Sequence, residues 1–140
     1  MENIKEILTE ISQNSDCIKL KVGAIIVKDN KIISKGYNKA LGKEKCLEHF
    51  KNKSLEEKQL FHSAWSDCYE IHAEAMAICE CAKQGISLND SVLYVTHSPC
   101  MECAKLIVFS GISKVYYKIK YKNGEGLRLL KERGISCEQI

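Results

Sequence analysis

The sequence predicts an α/β domain in which helices pack on a central sheet of five strands. From residue 72 onward, helix-period and strand-like segments alternate, a pattern that makes parallel strand pairs joined by helical crossovers. Ahead of them, two β-branched runs flank Asp29-Asn30, the signature of a hairpin. A chain of 140 residues is long enough to bury a real core, and its 45% hydrophobic and 28% charged residues are ordinary for a globular protein.

The elements follow in order. Ile4, Ile7, Leu8 and Ile11 recur at helical spacing, so residues 2–14 read as an amphipathic helix. Residues 22–28 and 31–37 are the hairpin strands, and Gly23 would let the first pass close to another backbone or a ligand. Residues 38–66 are polar, lysine-rich and irregular, which reads as a loop with a short helix. Residues 72–83 form an alanine-rich helix whose apolar face is Ala75, Ile78, Cys79 and Ala82, stopped by Gly85. Residues 91–96 are a strand. Pro99 suits the first turn of the next helix, which runs to Ser110 and closes at Gly111. Residues 114–119 are a strand, 126–133 a helix and 135–137 a last short strand, giving the order α-β-β-α-β-α-β-α-β.

Charge and cysteine content narrow the function classes. The net charge of +3 is too small to argue for a nucleic-acid surface, and it comes almost wholly from lysine, with only Arg128 and Arg133 as arginines. A small anionic substrate is compatible with it. No apolar stretch approaches the ~20 residues of a membrane span, and residues 1–10 lack a secretory pattern. A cytoplasmic protein is expected. Eight cysteines without a secretory signal favour metal binding over a disulfide scaffold.

Two short clusters carry chemistry. His72-Ala73-Glu74 and Pro99-Cys100-Met101-Glu102-Cys103 spell H-x-E followed by P-C-x-x-C, the pattern of zinc-dependent nucleobase deaminases. One imidazole and two thiolates occupy three corners of a tetrahedral zinc and leave the fourth open for water. Hydrolysis needs that open corner, and a structural site lacks it. Zinc lowers the pKa of such a water to about 7, and Glu74 stands near enough to move protons between it and a leaving amine. A C-x-x-C alone would suit a redox pair or half a structural zinc site. The proline before it and the H-x-E on an earlier helix argue against both. Both His72 and Cys100 fall at helix N-termini, where the macrodipole favours a thiolate.

The surrounding stretches resemble a known family. They are Lys21-Val22-Gly23-Ala24-Ile25-Ile26-Val27, Ile32-Ile33-Ser34-Lys35-Gly36-Tyr37-Asn38, Glu70-Ile71-His72-Ala73-Glu74 and Leu93-Tyr94-Val95-Thr96-His97-Ser98-Pro99-Cys100. Cys103-Ala104-Lys105-Leu106-Ile107, Ser110-Gly111-Ile112 and Val115-Tyr116-Tyr117 complete them. The chain is similar, from about Cys17 to its end, to the cytidine and deoxycytidylate deaminase superfamily. Gly36-Tyr37-Asn38 and Ser110-Gly111-Ile112 narrow the resemblance to deoxycytidylate (dCMP) deaminases of the phage and bacterial type.

That resemblance implies one domain over residues 1–140 with a three-layer α-β-α fold, its mixed five-stranded sheet flanked by helices. It implies hydrolysis of dCMP to dUMP and ammonia in pyrimidine deoxynucleotide metabolism. His72, Cys100 and Cys103 would hold the catalytic zinc and Glu74 would shuttle protons. Asn38 would hydrogen-bond the sugar and Ala73 would offer its backbone to the base. Lys83 stands where phage relatives place an arginine near the phosphate, and would act there as a point charge. A second, structural zinc is implied at Cys17, Cys46, His62 and Glu70, with Cys46 aligned after removal of one loop residue. A homo-oligomer, up to a hexamer, is implied as well; neither a membrane nor a nucleic-acid partner is expected.

The chain departs from the family pattern at two further places. Lys39, Ala40 and Leu41 follow Asn38 where relatives have a glycine and then a proline, in a loop that helps bind an allosteric triphosphate such as dCTP. Met76 replaces an asparagine after the catalytic glutamate. The rival readings are a deaminase of free (deoxy)cytidine, a tRNA adenosine deaminase and a zinc-stabilised binding module without turnover. A tRNA enzyme would want an arginine- and aromatic-rich C-terminal helix, and an inactive module has no use for Glu74. Cys68, Cys79, Cys81 and Cys137 read as ordinary thiols. His49 and His97 read as ordinary polar residues, with His97 approaching the zinc only if the loop before Pro99 folds inward.

Overall fold

The computed structural model describes residues 3–140. Its main sheet contains β1 (Gly23–Lys28), β2 (Lys31–Tyr37), β5 (Val92–His97), β6 (Lys114–Ile119) and β7 (Ser136–Gln139), in the spatial order β2-β1-β5-β6-β7. β1 runs antiparallel to both β2 and β5, whereas β5, β6 and β7 are mutually parallel. The sheet is therefore mixed, as expected. Asp29 and Asn30 take φ values of 51° and 62°, the left-handed pair of a type I′ hairpin turn.

Strand alternation divides the core into two layers. Ile25 and Val27 of β1 face α1 (Ile4–Ser12), which buries Ile4, Leu8 and Ile11 against them. Residue 2, where the expected helix began, lies outside the described residues. Ala24 and Ile26 point the other way, into a core shared with α4 (Ala73–Gln84), α5 (Met101–Ser110) and α6 (Glu125–Glu132). One helix covers one face and three cover the other, giving the three-layer arrangement.

The buried face of α4 differs from the one expected. It is Ala73, Glu74, Ala77 and Cys81, while Cys79 and Ala82 are exposed. Size decides this. Gly36 of β2 passes so near α4 that a Cβ there would run into the Ala73 carbonyl and come within 2.8 Å of the Ala77 nitrogen. The Ser34 hydroxyl donates to the Ala77 carbonyl at 2.6 Å. Only the smallest side chains fit between helix and sheet at that approach.

The polar stretch 38–66 is more ordered than its pattern predicts. It contains β3 (Lys39–Ala40), α2 (Cys46–His49) and most of the 15-residue α3 (Leu55–Tyr69), with β4 (Glu70–Ile71) closing back on β3. Periodicity could not reveal α3, because His62 is its one buried residue and Leu55, Leu60 and Phe61 are exposed. The signal available was Ser54-Leu55-Glu56-Glu57, a capping box. Ser54 Oγ accepts from the Glu57 N–H at 3.1 Å, and the Ser54 N–H donates back to the Glu57 carboxylate at 3.3 Å. A small core of Cys17, Cys46 and Phe50, flanked by Ile18 and Trp65, holds this lobe. Among the described residues no helix is long and apolar enough to cross a membrane.

Candidate active site

Two helix N-termini meet at the site. His72 is the N-cap of α4 and Cys100 the N-cap of α5, both with extended backbone, and Glu74 and Cys103 lie in the first turns that follow. His72 Nδ1 is 3.5 Å from Cys100 Sγ and 3.4 Å from Cys103 Sγ. Tetrahedral zinc with its usual bond lengths separates a nitrogen from a sulfur ligand by about 3.5 Å, so this trio matches three corners of such a site. Glu74 is 4% exposed beside them.

The electrostatics are those of a cation site. Cys100 is held as a thiolate, its pKa lowered to about 3, first by the thiol of Cys103 and then by His72. His72 is raised to about 8 by its hydrogen bond to Cys100. Cys103 is pushed up because its proton is shared with Cys100 and because it is buried. The protons held here are those that a cation displaces on binding. Glu74 is raised to about 7, chiefly by burial. A carboxyl group near neutrality can both accept and return a proton at physiological pH.

His72, Glu74 and Cys100 line a cavity of about 400 Å³ together with Asn38, Ala73, His97 and Tyr121. Asn38 is tied to the backbone: its Oδ1 accepts from the Val22 N–H at 2.9 Å and its Nδ2 donates to the Leu20 carbonyl at 2.7 Å. The loop before Pro99 does fold inward. The Thr96 hydroxyl accepts from the Gly23 N–H at 3.1 Å and is hydrogen-bonded to His97 Nδ1 at 2.9 Å. Ser98 ties this loop to the end of β6, its N–H donating to the Ile119 carbonyl and its hydroxyl accepting from the Tyr121 N–H at 2.7 Å. That link carries Tyr121 and Lys122 to the cavity wall.

Lys83 is placed elsewhere. It lies in the last turn of α4, at the opposite end of that helix from Ala73, and does not line the cavity. The lysines that do are Lys19 and Lys122. Sequence reading passed over both, along with Tyr121. Only Lys19 carried a signal, two residues after Cys17 in the segment feeding the first strand.

A second ligand cluster borders the same cavity. Cys17, Cys46, His62 and Glu70 bring one donor atom each within 4.8 Å of one another. His62 Nε2 is 3.3 Å from Cys17 Sγ, 3.4 Å from Cys46 Sγ and 3.6 Å from Glu70 Oε1. These are again the edge lengths of a tetrahedral zinc site, about 3.4–3.5 Å. The Glu70 Oε1 atom is buried without a hydrogen-bond partner, an expensive arrangement that a cation would relieve. Burial raises the Cys46 thiol to about 12. Four protein donors with none left for water describe a closed, structural site.

Comparison with known proteins agrees with the geometry. Residues 1–119 match the family model for the cytidine and deoxycytidylate deaminase zinc-binding region. ComE operon protein 2 of Bacillus subtilis is 34% identical over 137 residues, covering 93% of this chain; the chain spans 65% of that protein. The deoxycytidylate deaminase of Enterobacteria phage T4 is 34% identical over 162 residues, covering 93% of this chain and 84% of its own. The crystal structure of the dCMP deaminase from the cyanophage S-TIM5 in complex with dCMP and dUMP superposes with a TM-score of 0.81 at 31% identity, covering 99% of this chain and 95% of that one.

Proposed function

The chain belongs to the cytidine and deoxycytidylate deaminase family, and from that premise we propose that it hydrolyses dCMP to dUMP and ammonia. The observation that carries this reading is Glu74, buried beside the His72, Cys100 and Cys103 donors on the wall of a cavity that also presents Lys19 and Lys122. His72, Cys100 and Cys103 hold the catalytic zinc, which when bound polarises the attacking water and stabilises charge on its oxygen.

The protons are handled by Glu74. It takes one from the water as the oxygen bonds to C4 of the cytosine, and delivers it to N3. It then carries the second water proton to the amino group, the C4–N bond breaks and ammonia leaves. The C4 carbonyl and protonated N3 of dUMP remain, so atoms and charge balance. Ala73 supplies backbone contact to the base and Asn38 faces the sugar. Lys19 and Lys122 attract the 5′-phosphate in the role first assigned to Lys83.

Cys17, Cys46, His62 and Glu70 hold a second zinc with a structural role, supported by the unpartnered Glu70 oxygen. The protein works in the cytoplasm, in pyrimidine deoxynucleotide metabolism, as a homo-oligomer up to a hexamer. Exposed apolar side chains on α3 and α5 support assembly, among them Phe109, which is 91% exposed.

The test is ammonia release by the purified protein offered dCMP, CMP and deoxycytidine in parallel. Turnover of dCMP well above the other two is expected. Preference for deoxycytidine would overturn the phosphate assignment, and silence on all three would overturn the enzymatic reading.

A further inference from the structure

We propose that the Cys17/Cys46/His62/Glu70 cluster governs substrate affinity, because it clamps from both sides the backbone that positions Asn38. The deoxycytidylate reading above is its premise.

On one side stands the segment 17–22. Cys17 opens it as a donor of the cluster, its Sγ 3.3 Å from His62 Nε2, and Cys46 Sγ accepts the Ile18 N–H at 3.4 Å. The next backbone groups bind Asn38 itself, through the Leu20 carbonyl and the Val22 N–H. The turn that leads from the cluster to β1 is thus held at its start by Cys17 itself and the Cys46 sulfur, and at its end by the Asn38 amide. It has little apolar packing to hold it otherwise: Cys17 is the one fully buried residue of this segment.

On the other side, Asn38 runs directly into β3, whose Ala40 pairs with Glu70 and whose Lys39 pairs with Ile71. Glu70 is both a donor of the cluster and the pairing partner of that short strand. Asn38 therefore lies between two backbone segments, each anchored by a residue of the cluster. A cation that draws the four donors together fixes both segments. Loss of one donor frees the turn at 17–22 and with it the orientation of the Asn38 amide.

Cys46 is the donor to change, because it is fully buried and does not line the cavity. Three variants are compared with the wild type: Cys46→Ser, Asn38→Ala and the two combined. Each is measured for zinc content, for kcat and KM on dCMP, and for dUMP binding by calorimetry. Amide hydrogen exchange over residues 17–22 gives a readout that needs no ligand. Cys46→Ser should lose one zinc, exchange faster over 17–22, and weaken both KM and dUMP affinity about tenfold, with kcat within about threefold of wild type. Asn38→Ala should weaken binding similarly with both ions kept. The double variant should be no worse than either single one, since both remove the same interaction.

Multiplying effects in the double variant, or unchanged dUMP affinity in Cys46→Ser, would overturn the proposal and leave a merely structural site. If Cys46→Ser does not fold, Glu70→Gln, which keeps the volume and one oxygen, takes its place with the same expectations. A wild type that neither turns over dCMP nor binds dUMP overturns the substrate reading instead, and this proposal with it.

Discussion

Glu70 and His72 stand two residues apart on extended backbone and so point to the same side, Glu70 into one ligand cluster and His72 into the other. One tripeptide thereby places a donor of each cluster on the same cavity wall. The next residue, Ala73, begins α4, so Glu74 arrives one helical turn into the same site. Extended geometry up to His72 and helical geometry after it let a five-residue stretch supply a donor to each ligand cluster and the buried Glu74.

Glu74→Ala should leave zinc bound at His72, Cys100 and Cys103 while kcat on dCMP falls by about 10³-fold or more, in the upper range for loss of a general acid–base group. Metal analysis beside steady-state kinetics checks both halves. Turnover near wild type would remove Glu74 from the mechanism.

The burial of Glu74 predicts a pH-dependent cost in the metal-free protein. Its folded pKa of about 7 lies above the ordinary carboxyl value of 4.5, so its contribution is most favourable below pH 4.5 and is lost as pH rises through 7. The loss approaches about 3 kcal/mol above that window. Glu74→Gln, neutral at every pH, should therefore be the more stable metal-free protein at pH 8 and no more stable than wild type at pH 4. Thermal melts at the two values decide it.

Lys19→Ala and Lys122→Ala should each raise KM for dCMP by roughly fivefold, as expected for an exposed cation facing a phosphate. Neither should alter kinetics on deoxycytidine. Lys83→Ala should change neither, given its place at the far end of α4. A KM effect confined to Lys83 would reverse the assignment.

His62→Ala should reduce zinc content from two ions to one and lower the melting temperature by about 10 °C. It unmakes a closed site and leaves the Glu70 carboxylate with less compensation. An unchanged melting temperature would show that the lobe of α2 and α3 stands without the ion.

Gly36→Ala introduces a methyl group that meets the Ala73 carbonyl. It should cost about 1–3 kcal/mol through overpacking. Because the displaced backbone carries His72 and Glu74, kcat should fall at temperatures where the variant is still fully folded. Circular dichroism beside activity separates the two effects.

The chemistry-bearing motifs were legible in the sequence because they are local. His72-Ala73-Glu74 and Pro99-Cys100-Met101-Glu102-Cys103 keep their donors within one turn of a helix start, so spacing alone predicts the ligand trio. The hairpin at Asp29-Asn30 and the alternating second half were legible for the same reason: periodicity and turn chemistry are short-range. What tertiary structure decided was long-range or depended on size. The buried face of α4 is set by how closely Gly36 lets β2 approach, which no property of the helix itself reveals. α3 has no apolar periodicity to reveal it, because it buries His62 in place of an apolar stripe. The lysines that line the cavity are Lys19 and Lys122 and not Lys83, because a helix separates its two ends by its own length, whereas Ser98 folds the distant Tyr121-Lys122 segment against Cys100. Local sequence determined which groups can do chemistry; the packing of helices on the sheet decided which of them share a cavity.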